Sequence, residues 1–230
     1  METIVSTIEG NWQYLDGGAM FGNAPRPVWE KWIAPDSLGR IPLACRTLLI
    51  ETEGKRILCE TGIGAFFEPK LAERFGVKDP DRHMLIENLQ KLNLTENDID
   101  YVILSHLHFD HAGGLLPTYA QIQAGQDRLL FPKAKYLVGK EAWERSLHPH
   151  SRDKASFIPG LTDKLEKSGR LVVVHGVLVD GGVVLLVGSS HHSAARWPEV
   201  GLSSDVQFQS SRIEFHLHSF CLSRKFPSTD

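Results

Sequence analysis

Cysteine is scarce in this chain of 230 residues: Cys45, Cys59 and Cys221 are scattered and odd in number. No disulfide framework can be read from them, and their spacing fits no thiolate zinc site. A reduced, cytoplasmic setting is the simpler expectation. Long apolar runs are also missing, with none reaching the ~20 residues that a membrane-spanning helix requires. The opening residues Met1, Glu2, Thr3, Ile4 and Val5 hold neither the basic nor the apolar segment of a secretory signal. An unanchored, soluble protein is expected. No charge sign dominates: 25 basic against 28 acidic side chains leave a net −3, so neither nucleic acid nor an anionic membrane is expected as partner. No internal repeat is evident. What remains, 42% hydrophobic and 23% charged residues, suits a globular chain that buries one full core or two small ones.

Histidine, by contrast, is concentrated. The string His106-Leu107-His108-Phe109-Asp110-His111 packs three imidazoles and a carboxylate into one short loop, directly after the apolar run Tyr101-Val102-Ile103-Leu104. Imidazole nitrogen and carboxylate oxygen are the usual ligands of zinc and its neighbours. A buried strand delivering them onto a turn would hold them rigidly at a sheet edge. In an extended segment alternate side chains share a face, so His106 and His108 can grip one metal together. Asp110 and His111 then sit past the turn and can face a second metal. Gly113 and Gly114 let the backbone bend sharply and leave room for a ligand. A solvated polar turn is the competing reading, and such a dense ligand string makes it the weaker one.

His-x-His-x-Asp-His after a buried strand resembles the signature of the metallo-β-lactamase superfamily of metallo-hydrolases. With Phe109 before Asp110 and Ala112-Gly113-Gly114 after it, the string is similar to lactonase-like members, including N-acyl-homoserine lactonases. His108 stands where a glutamate would point to the flavodiiron electron-transfer branch, so the resemblance implies hydrolysis. It covers residues 10–176 by motif and element order. The implied fold is α/β: an αββα sandwich, two mixed sheets with helices outside.

The order of elements is legible along that stretch. Residues 11–22 read as a strand and turn. Residues 24–42 hold four prolines with Trp29 and Trp32, and read as an ordered loop or short helix, either a lid over a site or a packed surface loop. Strands at 44–51 and 55–61 pair antiparallel across Glu53-Gly54. Glu60-Thr61-Gly62 stands where the superfamily usually has Asp-Thr-Gly; Glu60 is either a partner of the site or an ordinary strand-end acid. Helices are expected at 69–75 and 84–92, the second from the spacing of Leu85, Leu89 and Leu92. Thr95-Glu96-Asn97-Asp98 has the shape of a capping box opening a brief turn. A strand at 100–105 delivers the histidine loop, and a polar segment runs to Arg128. A strand at 134–138, helices at 140–147 and 157–167, Gly169 as a C-cap and a strand at 171–175 complete the set. His83, His148, His150 and His175 are read as solvated side chains rather than ligands.

After Gly176 the composition changes: residues 177–230 hold 10 of the 17 serines but only Lys225 of the 12 lysines. Residues 1–176 are therefore read as the core and 177–230 as an atypical tail. A strand is still expected at 183–187. The resemblance calls for a Gly-His-Thr-x-Gly-His-like loop, a bridging aspartate and a last histidine in that region, and none of those strings is present. His191 follows the strand at a suitable distance and is the best stand-in for the third metal ligand. Asp205 and His216 or His218 have no supporting context. Two explanations stay open, natural divergence and a shifted reading frame downstream of about residue 176; the gene sequence decides between them.

The resemblance thus implies a zinc-dependent metallo-hydrolase that opens a lactone or other small ester or amide with a metal-activated hydroxide. His106, His108, Asp110, His111 and His191 are the candidate ligands, with two zinc ions per chain if the site is complete and one or none if it is not. Asp110 is the candidate catalytic residue, orienting the nucleophile and passing a proton to the leaving group. Tyr14, Tyr101, Tyr119 and Tyr136 are candidates to assist the oxyanion, each with a core role as the plainer reading. The expected partner is a small-molecule substrate, and a homodimer is left open. The alternative is a catalytically impaired or inactive relative that lacks its C-terminal ligands.

Overall fold

The computed structural model describes residues 3–175, together with the strand backbone at Val177–Asp180 and Val183–Leu186. A long strand β1 (Ile4–Asp16) runs into the short helices α1 (Gly17–Phe21) and α2 (Arg26–Trp29). Strands β2 (Arg40–Thr52) and β3 (Lys55–Cys59) follow, joined by a tight turn with both Glu53 and Gly54 at positive φ. Then come helices α3 (Pro69–Arg74) and α4 (Met84–Lys91), strand β4 (Tyr101–Leu104) and helical turn α5 (Phe109–Ala112). Helix α6 (Tyr119–Gln123), strand β5 (Lys135–Gly139), helices α7 (Lys140–Leu147) and α8 (Leu161–Lys167), and strand β6 (Leu171–Val174) complete this part.

The six strands form one mixed sheet in sequence order. β1, β2 and β3 pair antiparallel, whereas β3, β4, β5 and β6 pair parallel. Alternation along each strand divides its side chains between two faces. Leu58, Val102, Leu104, Tyr136 and Val138 join one cluster with Ala72, Leu85, Leu89, Trp143, Leu161 and Leu165, so α3, α4, α7 and α8 all supply this face. Ile57, Cys59, Ile103, Leu137 and Val174 form a second cluster on the opposite face. The strands are apolar on both faces, as parallel strands buried on both sides are. Strands β7 (Val177–Asp180) and β8 (Val183–Leu186) make a separate antiparallel pair. This is the mixed α/β architecture that the histidine string implied.

Three local expectations needed revision. Residues 119–123 are helical rather than merely polar: Thr118 and Gln121 close a capping box in which each side chain meets the other's backbone N–H. The helix expected from residue 157 starts only at Leu161, because Gly160 takes a left-handed φ of 76° just before it. β7 was not expected. The 24–42 segment holds the short helix α2, whose Trp29 is buried with Ile41 and Leu43 and stacks on Phe21 at 5.2 Å.

Candidate metal centre

β3 and β4 run parallel and end at the same edge of the sheet, where open α/β sheets place their ligand crevices. Two loops leave that edge together: residues 60–64 after β3 and residues 105–108 after β4. They are bolted by hydrogen bonds. The Glu60 amide donates to the Ile103 carbonyl at 2.8 Å, and the Ser105 amide donates to Glu60 Oε1 at 2.9 Å. The amide and hydroxyl of Thr61 both donate to the His111 carbonyl at 2.9 Å, and the Gly114 amide donates to the Gly62 carbonyl at 2.9 Å.

This docking explains the two glycines, and differently from the sharp bend that the sequence suggested. Gly113 has an ordinary helical φ of −64°. What forbids a side chain is proximity: a Cβ on Gly113 would lie 2.1 Å from the Ile63 carbonyl oxygen, and one on Gly114 would lie 2.1 Å from the Thr61 oxygen. The glycines let two backbone segments touch, which fixes the histidine loop against the neighbouring strand's end.

α5 begins directly after His108, and its turn folds His111 back toward His106, with ring centroids 4.0 Å apart. Donor atoms of His106, Asp110 and His111 all lie within 4.8 Å of one another. A helical turn thus adds His111 and Asp110 to the neighbourhood of His106, next to the His106–His108 pair expected from an extended strand. His108 stands beside the group of three, its ring 4.6 Å from that of His106. His191, Asp205, His216 and His218 lie outside the described residues.

Electrostatics divide the three histidines. Burial, then the nearby His111 and His108, push His106 down to about 4 from an ordinary 6.5. His106 is thus a neutral imidazole with a lone pair to offer. Burial also lowers His108. For His111 burial works in the same direction, but Glu60 and Asp110 outweigh it and raise its pKa well above 6.5. Glu60 Oε2 lies 3.2 Å from His111 Nδ1, and Asp110 Oδ2 lies 3.4 Å from Nε2. Glu60 Oε2 is buried and makes a charge contact rather than an aligned hydrogen bond. Burial tends to raise Asp110, yet contact with His111 leaves it below its ordinary range. His106 and His111 with the Asp110 carboxylate are donors suited to zinc, and Glu60 supports the group from the other ring nitrogen of His111. The residues fit a divalent metal.

Neighbouring side chains divide into partners and bystanders. Glu60 is a partner of His111. His83, read from the sequence as solvated, is buried: its Nδ1 accepts from the Ile86 amide at the start of α4, and its Nε2 lies 3.2 Å from the Gly114 carbonyl. It ties α4 to the far end of the histidine loop. His148, His150 and His175 are exposed, as expected. Among the tyrosines, Tyr136 is buried and its hydroxyl donates to the carbonyls of Leu130 and Phe131. Asp153, whose carboxylate approaches His108, was invisible in the sequence because nothing in its local string distinguishes it from a surface acid.

Residues 40–188 match the family described as the metallo-beta-lactamase superfamily. The N-acyl homoserine lactonase AiiA of Bacillus thuringiensis subsp. kurstaki is 28% identical over 157 residues, covering 63% of this chain and 55% of that protein. An N-acyl homoserine lactonase of Bacillus cereus is 32% identical over 157 residues, with the same coverage. The chain thus spans about half the length of the curated relatives it matches. Among solved structures, a probable metal-dependent hydrolase from Staphylococcus aureus superposes with a TM-score of 0.67 at 30% identity, over 79% of this chain and 64% of that one. AidC, a dizinc quorum-quenching lactonase, shares the fold with a TM-score of 0.53 at 20% identity, over 80% of this chain and 70% of its own.

Proposed function

This chain belongs to the metallo-beta-lactamase superfamily, and from that membership we propose that it is a zinc-dependent hydrolase opening a lactone or other small ester or amide. The observation that carries the proposal is the convergence of His106, Asp110 and His111 within 4.8 Å at the end of the parallel strands. Support for a lactone comes from relatives that bear the name N-acyl homoserine lactonase. Support for zinc comes from the donor set and from a dizinc lactonase of the same fold.

In this reading His106, His108, Asp110 and His111 are the metal ligands, and His191 is carried as a further one. Two zinc ions per chain are proposed for a complete site. Bound zinc brings the pKa of a water toward neutrality and polarises a carbonyl oxygen. The chain's own residues supply the rest. His106, neutral at physiological pH, presents a lone pair without first losing a proton. Asp110, kept ionised beside His111, accepts a proton from the nucleophile and returns it to the leaving group. Glu60 holds His111 by its Nδ1, while the Ser105 amide holds Glu60. A core of residues 1–176 is proposed on composition alone; the family match crosses that boundary and runs on to residue 188. A cytoplasmic setting is proposed from the few, scattered cysteines alone.

A second reading, an impaired relative holding one ion or none, draws on the missing Gly-His-Thr-x-Gly-His string after residue 176. Elemental analysis of the purified chain, with a hydrolysis panel of lactones and β-lactams, separates the two. The enzyme reading expects about two zinc ions and lactone turnover that a chelator abolishes and zinc restores. A stoichiometry of one or less with no turnover removes it.

A further inference from the structure

Asp153 sits at the head of a 3-10 turn (Lys154–Ser156), the position where an acid normally caps a backbone N–H, yet it makes no cap. Its carboxylate turns toward the histidine loop instead. Oδ2 lies 3.7 Å from His108 Nε2 and accepts hydrogen bonds from Arg145 Nε at 3.2 Å and Nη2 at 2.7 Å. Oδ1 is buried and has no hydrogen-bond partner among the described residues. His108 is held on its other sides as well. Its backbone bridges Phe157 in an antiparallel contact, and its ring meets the Phe157 ring edge-on at 4.5 Å. An arginine-anchored acid, an aromatic wall and a backbone bridge therefore fix one imidazole. That is more constraint than a solvated histidine needs.

A metal-binding histidine commonly gives its second ring N–H to a carboxylate, which sets both the tautomer and the ring's orientation. Nε2 lies 3.7 Å from Asp153 Oδ2, an ion-pair contact rather than a formed hydrogen bond; with its proton on that side, His108 has the Nδ1 lone pair left to offer. We propose that Asp153 is a positioning residue: it holds His108 as the Nε2–H tautomer, so that Nδ1 serves as a donor to the ion bound by His106, Asp110 and His111. Arg145 keeps the carboxylate in place. This role rests on the metal-centre reading above, and it extends the site to an element that the histidine string does not contain.

The test compares the full chain with Asp153→Ala and Asp153→Asn, each checked for folding by circular dichroism and thermal unfolding. Long-range proton–nitrogen NMR of the metal-free proteins reads the His108 tautomer. Competition with a chelator reads zinc affinity, and the absorption spectrum of the cobalt-substituted protein reads the ligand field. The wild type should show His108 protonated on Nε2. Asp153→Ala should mix the tautomers, weaken zinc by ~10- to 100-fold and alter the cobalt spectrum. Asp153→Asn, which keeps an oxygen to accept from Nε2–H, should recover most of the affinity. A wild-type His108 protonated on Nδ1 overturns the role. So does an Asp153→Ala protein with wild-type affinity and cobalt spectrum, and that result leaves the metal centre itself standing. A wild-type chain that takes up no zinc overturns the centre and this role with it.

Discussion

Gly113 and Gly114 show how much one missing methyl group can decide. Each lies so close to a carbonyl of residues 61–63 that a Cβ would penetrate it, and the neighbour is backbone that cannot swing aside. Gly113→Ala is therefore expected to lower stability by about 1–3 kcal/mol, read as a shifted urea midpoint, and to loosen zinc binding by displacing His111. An unchanged midpoint would show that the two loops are not docked as described. Which side chains carry donor atoms was legible in the sequence, because donor chemistry belongs to the side chain. Partnership was legible only as one of two readings for Glu60, and not at all for Asp153. Glu60 and Asp153 reach His111 and His108 only through contacts between distant segments.

Elements were legible where periodicity or capping chemistry was strong. α4 has Leu85 and Leu89 buried on one face and caps its start with His83. Leu89→Ala should cost about 2–5 kcal/mol, because the residue is fully buried between α4 and the sheet and the site can collapse only in part; a loss below 1 kcal/mol would mean that α4 does not anchor this face. α6 escaped notice although Thr118 and Gln121 announce it, since its length of one turn yields no period to count. The helix expected from residue 157 begins only at Leu161, because Gly160 takes a left-handed φ just before it. α5 gives the expected turn its form: one helical turn brings the His111 ring to 4.0 Å from His106, while His108 stays 4.6 Å from it.

At the scale of the whole molecule, buried histidines set how stability depends on pH. In the metal-free protein His106 titrates at about 4 rather than 6.5, from burial and from His111 and His108. Between those values the unfolded chain binds more protons, so stability falls as pH drops from about 6.5 toward about 4. His83, lowered by burial, acts in the same sense. His111 acts in the other: burial is outweighed by Glu60 and Asp110, so its pKa is raised, and its contribution is complete below 6.5 and lost as pH rises through its folded value. Urea unfolding across pH should thus show metal-free stability peaking near 6.5 and falling on both sides. Zinc, which takes the place of the His111 proton, should remove the alkaline fall. A profile that climbs steadily past pH 8 without metal would contradict the Glu60–His111–Asp110 arrangement.

The sequence by itself determined the class of fold and the chemistry of the donors. Short apolar strands separated by helices, with the family resemblance of the histidine string, imply a sheet buried on both faces, and imidazoles and carboxylates keep their ligand character in any surroundings. Only the tertiary structure decided which donors meet. Convergence depends on one helical turn, on two glycines pressed against another strand's loop, and on acids brought from residues 60 and 153. Those are distances between segments far apart in the chain, and local patterns of hydrophobicity carry no record of them.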